Sequence, residues 1–243
     1  MSHTAELNGL KIFYRDNGEG DPLLLLHGFT GSGDDWKHVF PDIPAGYRVL
    51  APDLRGHGSS TNPSGIFRFA DIARDIFALL DHLGIDCVQA IGMSAGANTL
   101  LHMATQQPGR ISAMIHVSGT PRFPEQARAV MRSMNDITMP NADLRRYAHA
   151  LADDRTDMNF DAASLSTISA RTLIVHGDRD PLYPVESAAE LLRGIPQASL
   201  WVVPGGGHGP IFGHQAAPFA SAAIAFLTAR TRRGYFLAEG SKR

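Results

Sequence analysis

Residues 90–100 read "AIGMSAGANTL". A serine, Ser94, stands between two glycines, Gly92 and Gly96, directly after an apolar run and directly before a helix-like pattern. The stretch is G-x-S-x-G in strand–turn–helix context. A sharp turn there strains the serine backbone, and side chains at the two flanking positions would clash with the neighbouring strand and helix. Such a turn pushes the hydroxyl outward. It also sets the hydroxyl at a helix N-terminus, where backbone N–H groups meet developing negative charge.

The surrounding chain supplies the same alternation of elements. "LKIFYRD" alternates with period two. "DPLLLLHG", "YRVLAPD", "CVQAIG", "ISAMIHVSG", "RTLIVHG" and "SLWVVPG" are short apolar runs of the kind buried on both faces of a parallel sheet. "FADIARDIFALLDHLGI" places Ile72, Ile76, Leu79, Leu80 and Leu83 at helical spacing, with Gly84 as its stop. Strand and helix in alternation imply an α/β protein with a mostly parallel central sheet flanked by helices. Residues 120–167 break the rhythm with helical periodicity and no strand. They are expected to form a small helical lid over the crevice at the carboxyl ends of the strands. The expected division is a core of 1–119 and 168–243 interrupted by that lid.

A serine hydroxyl needs a base to take its proton, and the base needs an orienting carboxylate. Of the 11 histidines, His208 in "VVPGGGHGP" follows the last expected strand on a glycine-rich loop. Asp178 and Asp180 in "IVHGDRDPLYP" follow another. The order serine, aspartate, histidine is one of the known arrangements of this constellation. His27 and His57 read as structural. His82, His102 and His149 read as surface or satisfied core residues, and His116 and His176 as strand-end residues near the cleft.

The remaining composition is bounding. The 243 residues carry 44% hydrophobic side chains and a formal net charge of −2. That suffices for one sizeable core and supplies neither a basic stripe for nucleic acid nor a polybasic membrane anchor. The lone Cys87 permits no internal disulfide and reads as a small core residue at a strand start. No signal-peptide pattern opens the chain and no apolar run approaches ~20 residues, so a cytoplasmic protein without membrane insertion is expected. No zinc spacing, P-loop or dinucleotide fingerprint appears, so neither metal nor cofactor is expected. The tail beyond the last helix is mostly polar, with Tyr235, Phe236 and Leu237 available to dock.

Taken together these motifs resemble the α/β-hydrolase family over nearly the whole chain. "LLLLHGFTGSGDDW" is similar to its oxyanion loop, "APDLRGHGSS" to its D-x-R-G-x-G-x-S turn, and "GMSAG" to its nucleophile elbow. "HGDRDPLYP" and "GGGHGP" are similar to its acid and histidine loops. The resemblance implies the α/β-hydrolase fold and a catalytic set of Ser94, Asp180 and His208. The family's G-x-x-D-x-x-x-P pattern selects Asp180, four residues before Pro184, and leaves Asp178 as a turn residue. It also implies an oxyanion hole made by the backbone N–H groups of Phe29 and Ala95. Many relatives carry histidine where this chain has Met93. Serine at the nucleophile position disfavours the epoxide- and halide-directed branches, which use a carboxylate.

The implied activity is a serine carboxylesterase acting on small to medium esters or lactones, as monomer or homodimer. Cofactor-free perhydrolases (haloperoxidases), carbon–carbon bond hydrolases and triad-bearing signal receptors are the alternatives. Met93, Met131, Met134 and Tyr147 are the expected pocket residues, because methionines suit adaptable apolar surfaces. The lid's six arginines and seven acidic residues make no strong demand for a charged substrate.

Overall fold

The computed structural model describes residues 1–134, 139, 141–153 and 157–229. Its strands are β1 (Ser2–Leu7), β2 (Leu10–Gly18), β3 (Asp21–Leu26), β4 (Tyr47–Pro52), β5 (Val88–Met93), β6 (Ile111–Val117), β7 (Arg171–Gly177) and β8 (Ala198–Val203). They form one sheet in the order β1-β2-β4-β3-β5-β6-β7-β8. β1, β2 and β4 pair antiparallel, and every later pairing is parallel. The helices are α1 (Phe69–His82), α2 (Ala95–Gln106), α3 (Glu125–Ser133), α4 (Ala142–Ala152), α5 (Ala162–Ser166), α6 (Val185–Gly194) and α7 (Ala216–Thr228).

The apolar runs are central strands because both sheet faces are covered. Leu24 and Leu26 of β3 join a core with Ile72, Ile76 and Leu80 of α1 and Leu100 and Leu101 of α2. Leu23 and Leu25 of the same strand point the other way, into a second core with Trp36, Phe219 and Leu227. Period-two alternation thus feeds two apolar layers from one run. α1 ends where expected: Gly84 is left-handed (φ +67°) and its N–H donates to the Asp81 carbonyl.

One element is added and one expectation changes. The first ten residues contain β1, paired to β2 through a two-residue turn at Asn8 and Gly9, both with positive φ. Asn-Gly is the preferred pair for such a hairpin. β1 is an edge strand with only Ala5 buried, so hydropathy does not reveal it. Cys87 is exposed rather than core, since β5 starts one residue later at Val88.

Among the described residues, α3, α4 and α5 lie between β6 and β7. Asn141 caps α4 by accepting from the N–H groups of Asp143 and Leu144. Asp161 and Ser164 form a reciprocal capping box on α5. The tail residues Tyr235, Phe236 and Leu237 lie outside the described residues.

His27 shows what these turns do mechanically. Its Nδ1–H donates to the Gly28 carbonyl (2.7 Å), and its Nε2 accepts from the Leu54 N–H (2.9 Å). A neutral ring is required for both bonds, and it ties the loop after β3 to the turn after β4. In that turn Asp53 accepts from the N–H groups of Gly33 and Ser59 and pairs with Arg15. Gly58 has no room for a side chain, as a Cβ would lie 2.1 Å from Asp53 Oδ2.

Burial and the neighbouring His57 ring push the His27 pKa down to about 3, and burial pushes His57 down to about 4. Burial and the nearby His176 push His116 down to about 3. These three rings are neutral in the fold and take up protons on unfolding. Their contribution is complete above the unfolded value near ~6.5 and is lost as pH falls toward the folded values. At pH 5 the loss is roughly 2 kcal/mol per ring, about 6 kcal/mol together, against a typical total of ~5–15. Urea unfolding at pH 7.5 and 5.0 should register a drop of that order. A drop below ~2 kcal/mol would mean that the rings carry charge in the fold. In His116→Leu the slope should shrink by about one third, because one of the three rings is gone and neither of its nitrogens has a hydrogen-bond partner to lose among the described residues.

Candidate active site

The elbow forms for the reasons its sequence suggests. Ser94 has φ +52° and ψ −111°, a strained conformation for a residue with a Cβ. Its N–H donates to the Val117 carbonyl (2.8 Å), and its carbonyl accepts the first bond of α2, from the Asn98 N–H (2.9 Å). A Cβ on Gly92 would lie 2.6 Å from the backbone of Gly96. A Cβ on Gly96 would lie 2.1 Å from the Leu26 carbonyl oxygen. Helix and strand therefore close on the turn from both sides, and only glycine fits.

The acid and histidine loops are stitched to each other. The Asp178 N–H donates to the Val203 carbonyl and the Arg179 N–H to the Gly206 carbonyl. Gly177 packs against the Gly206 and Gly207 carbonyls, each 2.3 Å from where its Cβ would be. The two aspartates separate cleanly. Asp178 is exposed. The Asp180 side chain is fully enclosed, and its Oδ2 accepts from His208 Nδ1 at 2.8 Å. Its Oδ1 accepts from the N–H groups of Leu182 (2.8 Å) and Tyr183 (3.1 Å). Burial pushes the Asp180 carboxyl pKa up, but the His208 hydrogen bond and charge and the two amides outweigh it and hold it below the ordinary value.

His208 bridges the set. With Nδ1 donating to Asp180, its Nε2 is free to accept from Ser94 Oγ–H, 2.8 Å away. The Gly28–Phe29 loop approaches from β3, and a Cβ on Gly28 would stand 3.5 Å from the Ser94 Cβ. Ala95 opens α2, so its N–H belongs to the first turn, which has no intrahelical acceptor. Phe29 and Ala95 both line the cavity into which Ser94 and His208 open.

That cavity is about 480 Å³. Phe69, Phe123, Met131, Met134, Leu151 and Phe212 supply much of its apolar wall, so α3 and α4 enclose it from above. Asp35 is the one charged carboxylate on it, and no lysine or arginine lines it among the described residues. Met93, Met131 and Met134 stand on the wall. Tyr147 does not. It is fully buried behind Phe29, stacked on Phe67 (ring centroids 4.7 Å apart) and meeting the Phe29 ring edge-on at 5.0 Å. It sits one layer back, and the Phe29 ring in front of it takes the cavity surface. His116 and His176 are also fully buried rather than cleft-lining. Tyr183 is a wall residue that the sequence reading passed over; its signal was its place three residues after Asp180.

Among the described residues no group of three or more His, Cys, Asp or Glu side chains is arranged to hold a metal ion. No helix there is long and apolar enough to cross a membrane.

The chain belongs to the α/β-hydrolase fold family. The family model for that fold matches residues 21–141, and a TAP-like protein model matches residues 149–233. A putative non-heme chloroperoxidase of Synechocystis sp. is 28% identical over 82% of this chain and 88% of its own length. A solved esterase from Exiguobacterium antarcticum superposes with a TM-score of 0.82 at 21% identity, covering 94% of this chain and all of that one. A meta-cleavage product hydrolase from Pseudomonas fluorescens IP01 gives 0.78 at 22%, covering 93% of this chain and 97% of that one. At these identities the two structures share the fold with this chain.

Proposed function

We propose that the protein is a serine esterase that hydrolyses uncharged carboxylic esters or lactones through an acyl-enzyme. The observation that carries this reading is the His208 imidazole, held at 2.8 Å from both Ser94 Oγ and Asp180 Oδ2 on the edge of an apolar cavity. Ser94 Oγ attacks the ester carbonyl while His208 Nε2 takes its proton. The oxyanion lies against the N–H groups of Phe29 and Ala95. His208 returns the proton to the leaving alcohol. It then takes one from water, which releases the acid and restores Ser94. Asp180 keeps the imidazole in the required tautomer and stabilises its charged form. With no lysine or arginine among the described wall residues, a carboxylate-bearing substrate would lose its hydration with no compensating partner there, so neutral acyl groups are favoured.

The chloroperoxidase relative supports a second reading at the same site. Hydrogen peroxide, attacking the acyl-enzyme in place of water, would release a peracid. The test is a panel of p-nitrophenyl esters from acetate to octanoate, lactones, and peracid formation from acetate and peroxide. Turnover of the neutral esters that disappears in Ser94→Ala supports the esterase. Peracid formation that outpaces ester hydrolysis would reassign the physiological acceptor. Absence of all three activities in folded protein would overturn the reading.

A further inference from the structure

The cavity around Ser94 carries a charge that the acyl transfer described above does not use. Asp35 lines it together with Ser94, His208 and Phe29. The carboxylate is half-buried and held in place. Its Oδ2 accepts from the Ser32 N–H at 3.3 Å, and the Asp35 N–H donates back to the Ser32 carbonyl at 3.1 Å. Oδ2 also takes the space beside Gly31, where a Cβ would lie 2.1 Å from it. The Gly31 N–H donates in turn to the Gly28 carbonyl at 3.1 Å, so Asp35 rests on the turn that carries Phe29.

The two cations beside this turn are engaged elsewhere. Lys37 pairs with Asp34, and Arg15 pairs with Asp34 and Asp53. Asp35 enters no ion pair among the described residues, so its charge is left to act on whatever fills the cavity. Around it Phe29, Phe69, Phe123 and Phe212 line the same space. The faces of such rings attract cations, and a quaternary ammonium is the cation that gives up its hydration most readily. A carboxylate meets the opposite surroundings: one like charge, aromatic rings, and no lysine or arginine among the described wall residues.

We infer that Asp35 is the charge-selecting residue of the cavity, which takes esters bearing a quaternary ammonium and turns away those bearing a carboxylate. This rests on the esterase reading above and widens it from uncharged esters to cationic ones. Asp35 neither gives nor takes a proton in the reaction. It acts through its field on the bound ester while the carbonyl reaches Ser94. In a cavity of about 480 Å³ a substrate charge stands within about 10 Å of the carboxylate, and their interaction is worth about five- to tenfold in kcat/KM.

Three p-nitrophenyl esters of matched shape test this: the γ-trimethylammonio-butyrate, its tert-butyl analogue with carbon in place of nitrogen, and the glutarate half-ester. The readout is kcat/KM for each charged ester divided by that for the neutral one, compared between variant and wild type. An effect common to all three esters then cancels, as does their intrinsic reactivity. Asp35→Asn keeps an oxygen for the Ser32 N–H and removes the charge. Its cation-to-neutral ratio should fall about fivefold and its anion-to-neutral ratio should rise about fivefold. Asp35→Glu restores the charge and should bring both ratios back toward wild type. Raising the salt from about 0.02 M to about 0.5 M should move the wild-type ratios in the same directions as asparagine does, by about twofold. Ratios within about twofold of wild type in folded Asp35→Asn overturn the assignment, and so does an Asp35→Glu that behaves as Asp35→Asn. Should the asparagine variant fail to fold, wild-type ratios that ignore salt overturn it. No turnover of any of the three by the wild type, with no acyl adduct on Ser94, defeats the esterase reading instead.

Discussion

Ser94→Ala is expected to lower kcat by about 10⁴- to 10⁶-fold on any ester the wild type turns over, with the fold intact. The substitution removes only the hydroxyl, so the remaining rate measures what the cavity and the N–H groups of Phe29 and Ala95 do for attack by water alone. An organophosphonate should label the wild type on the peptide bearing Ser94 and leave the variant untouched. A label elsewhere, or a variant within tenfold of wild type, would place the nucleophile at another residue.

The same position carries a stability prediction of opposite sign. Ser94 is held at φ +52°, ψ −111°, which costs ~1–3 kcal/mol for a residue with a Cβ. Alanine keeps that strain. Glycine removes it, less the ~0.5–1 kcal/mol that its extra freedom in the unfolded chain costs. Ser94→Gly should therefore be inactive and about 1 kcal/mol more stable than Ser94→Ala. Such a result would show that the turn is strained for the sake of exposing the hydroxyl.

Much of this site was legible because its parts are local. Gly92, Ser94 and Gly96 sit within one turn, and the clashes that exclude a side chain come from elements adjoining that turn. Asp180 and His208 each follow a strand directly, so parallel topology alone delivers them to the same sheet edge as Ser94. The parts that were not legible depend on layers. Tyr147 and Met131 have similar inward-facing helical positions. Only the placement of Phe29 decides that the methionine meets the cavity and the tyrosine does not. His116 and His176 end strands, but which face their side chains take is a question of what covers the sheet. β1 escaped notice for a different reason: an edge strand with one buried side chain has little hydropathy signal, and its trace was the Asn-Gly turn.

Asp180→Asn is expected to lower kcat by about 10⁴-fold, whereas Asp178→Asn should leave kcat within a few-fold of wild type. The structure gives the two carboxylates opposite surroundings: Asp178 is exposed, and Asp180 is enclosed with both oxygens engaged. An asparagine at 180 that keeps its Oδ1 on the Leu182 and Tyr183 amides must turn its NH₂ toward His208. That group cannot accept, so the imidazole is forced to place its proton on Nε2, where it can no longer receive the proton of Ser94. Restoring an acceptor should restore rate, so Asp180→Glu should recover part of what asparagine loses if its longer arm still reaches Nδ1. Recovery in the glutamate variant separates this from simple damage. Measurements belong above about pH 6, because below it the buried neutral histidines begin to destabilise the fold. If Asp178→Asn shows the large loss and Asp180→Asn does not, the orienting acid has been assigned to the wrong residue of "GDRD".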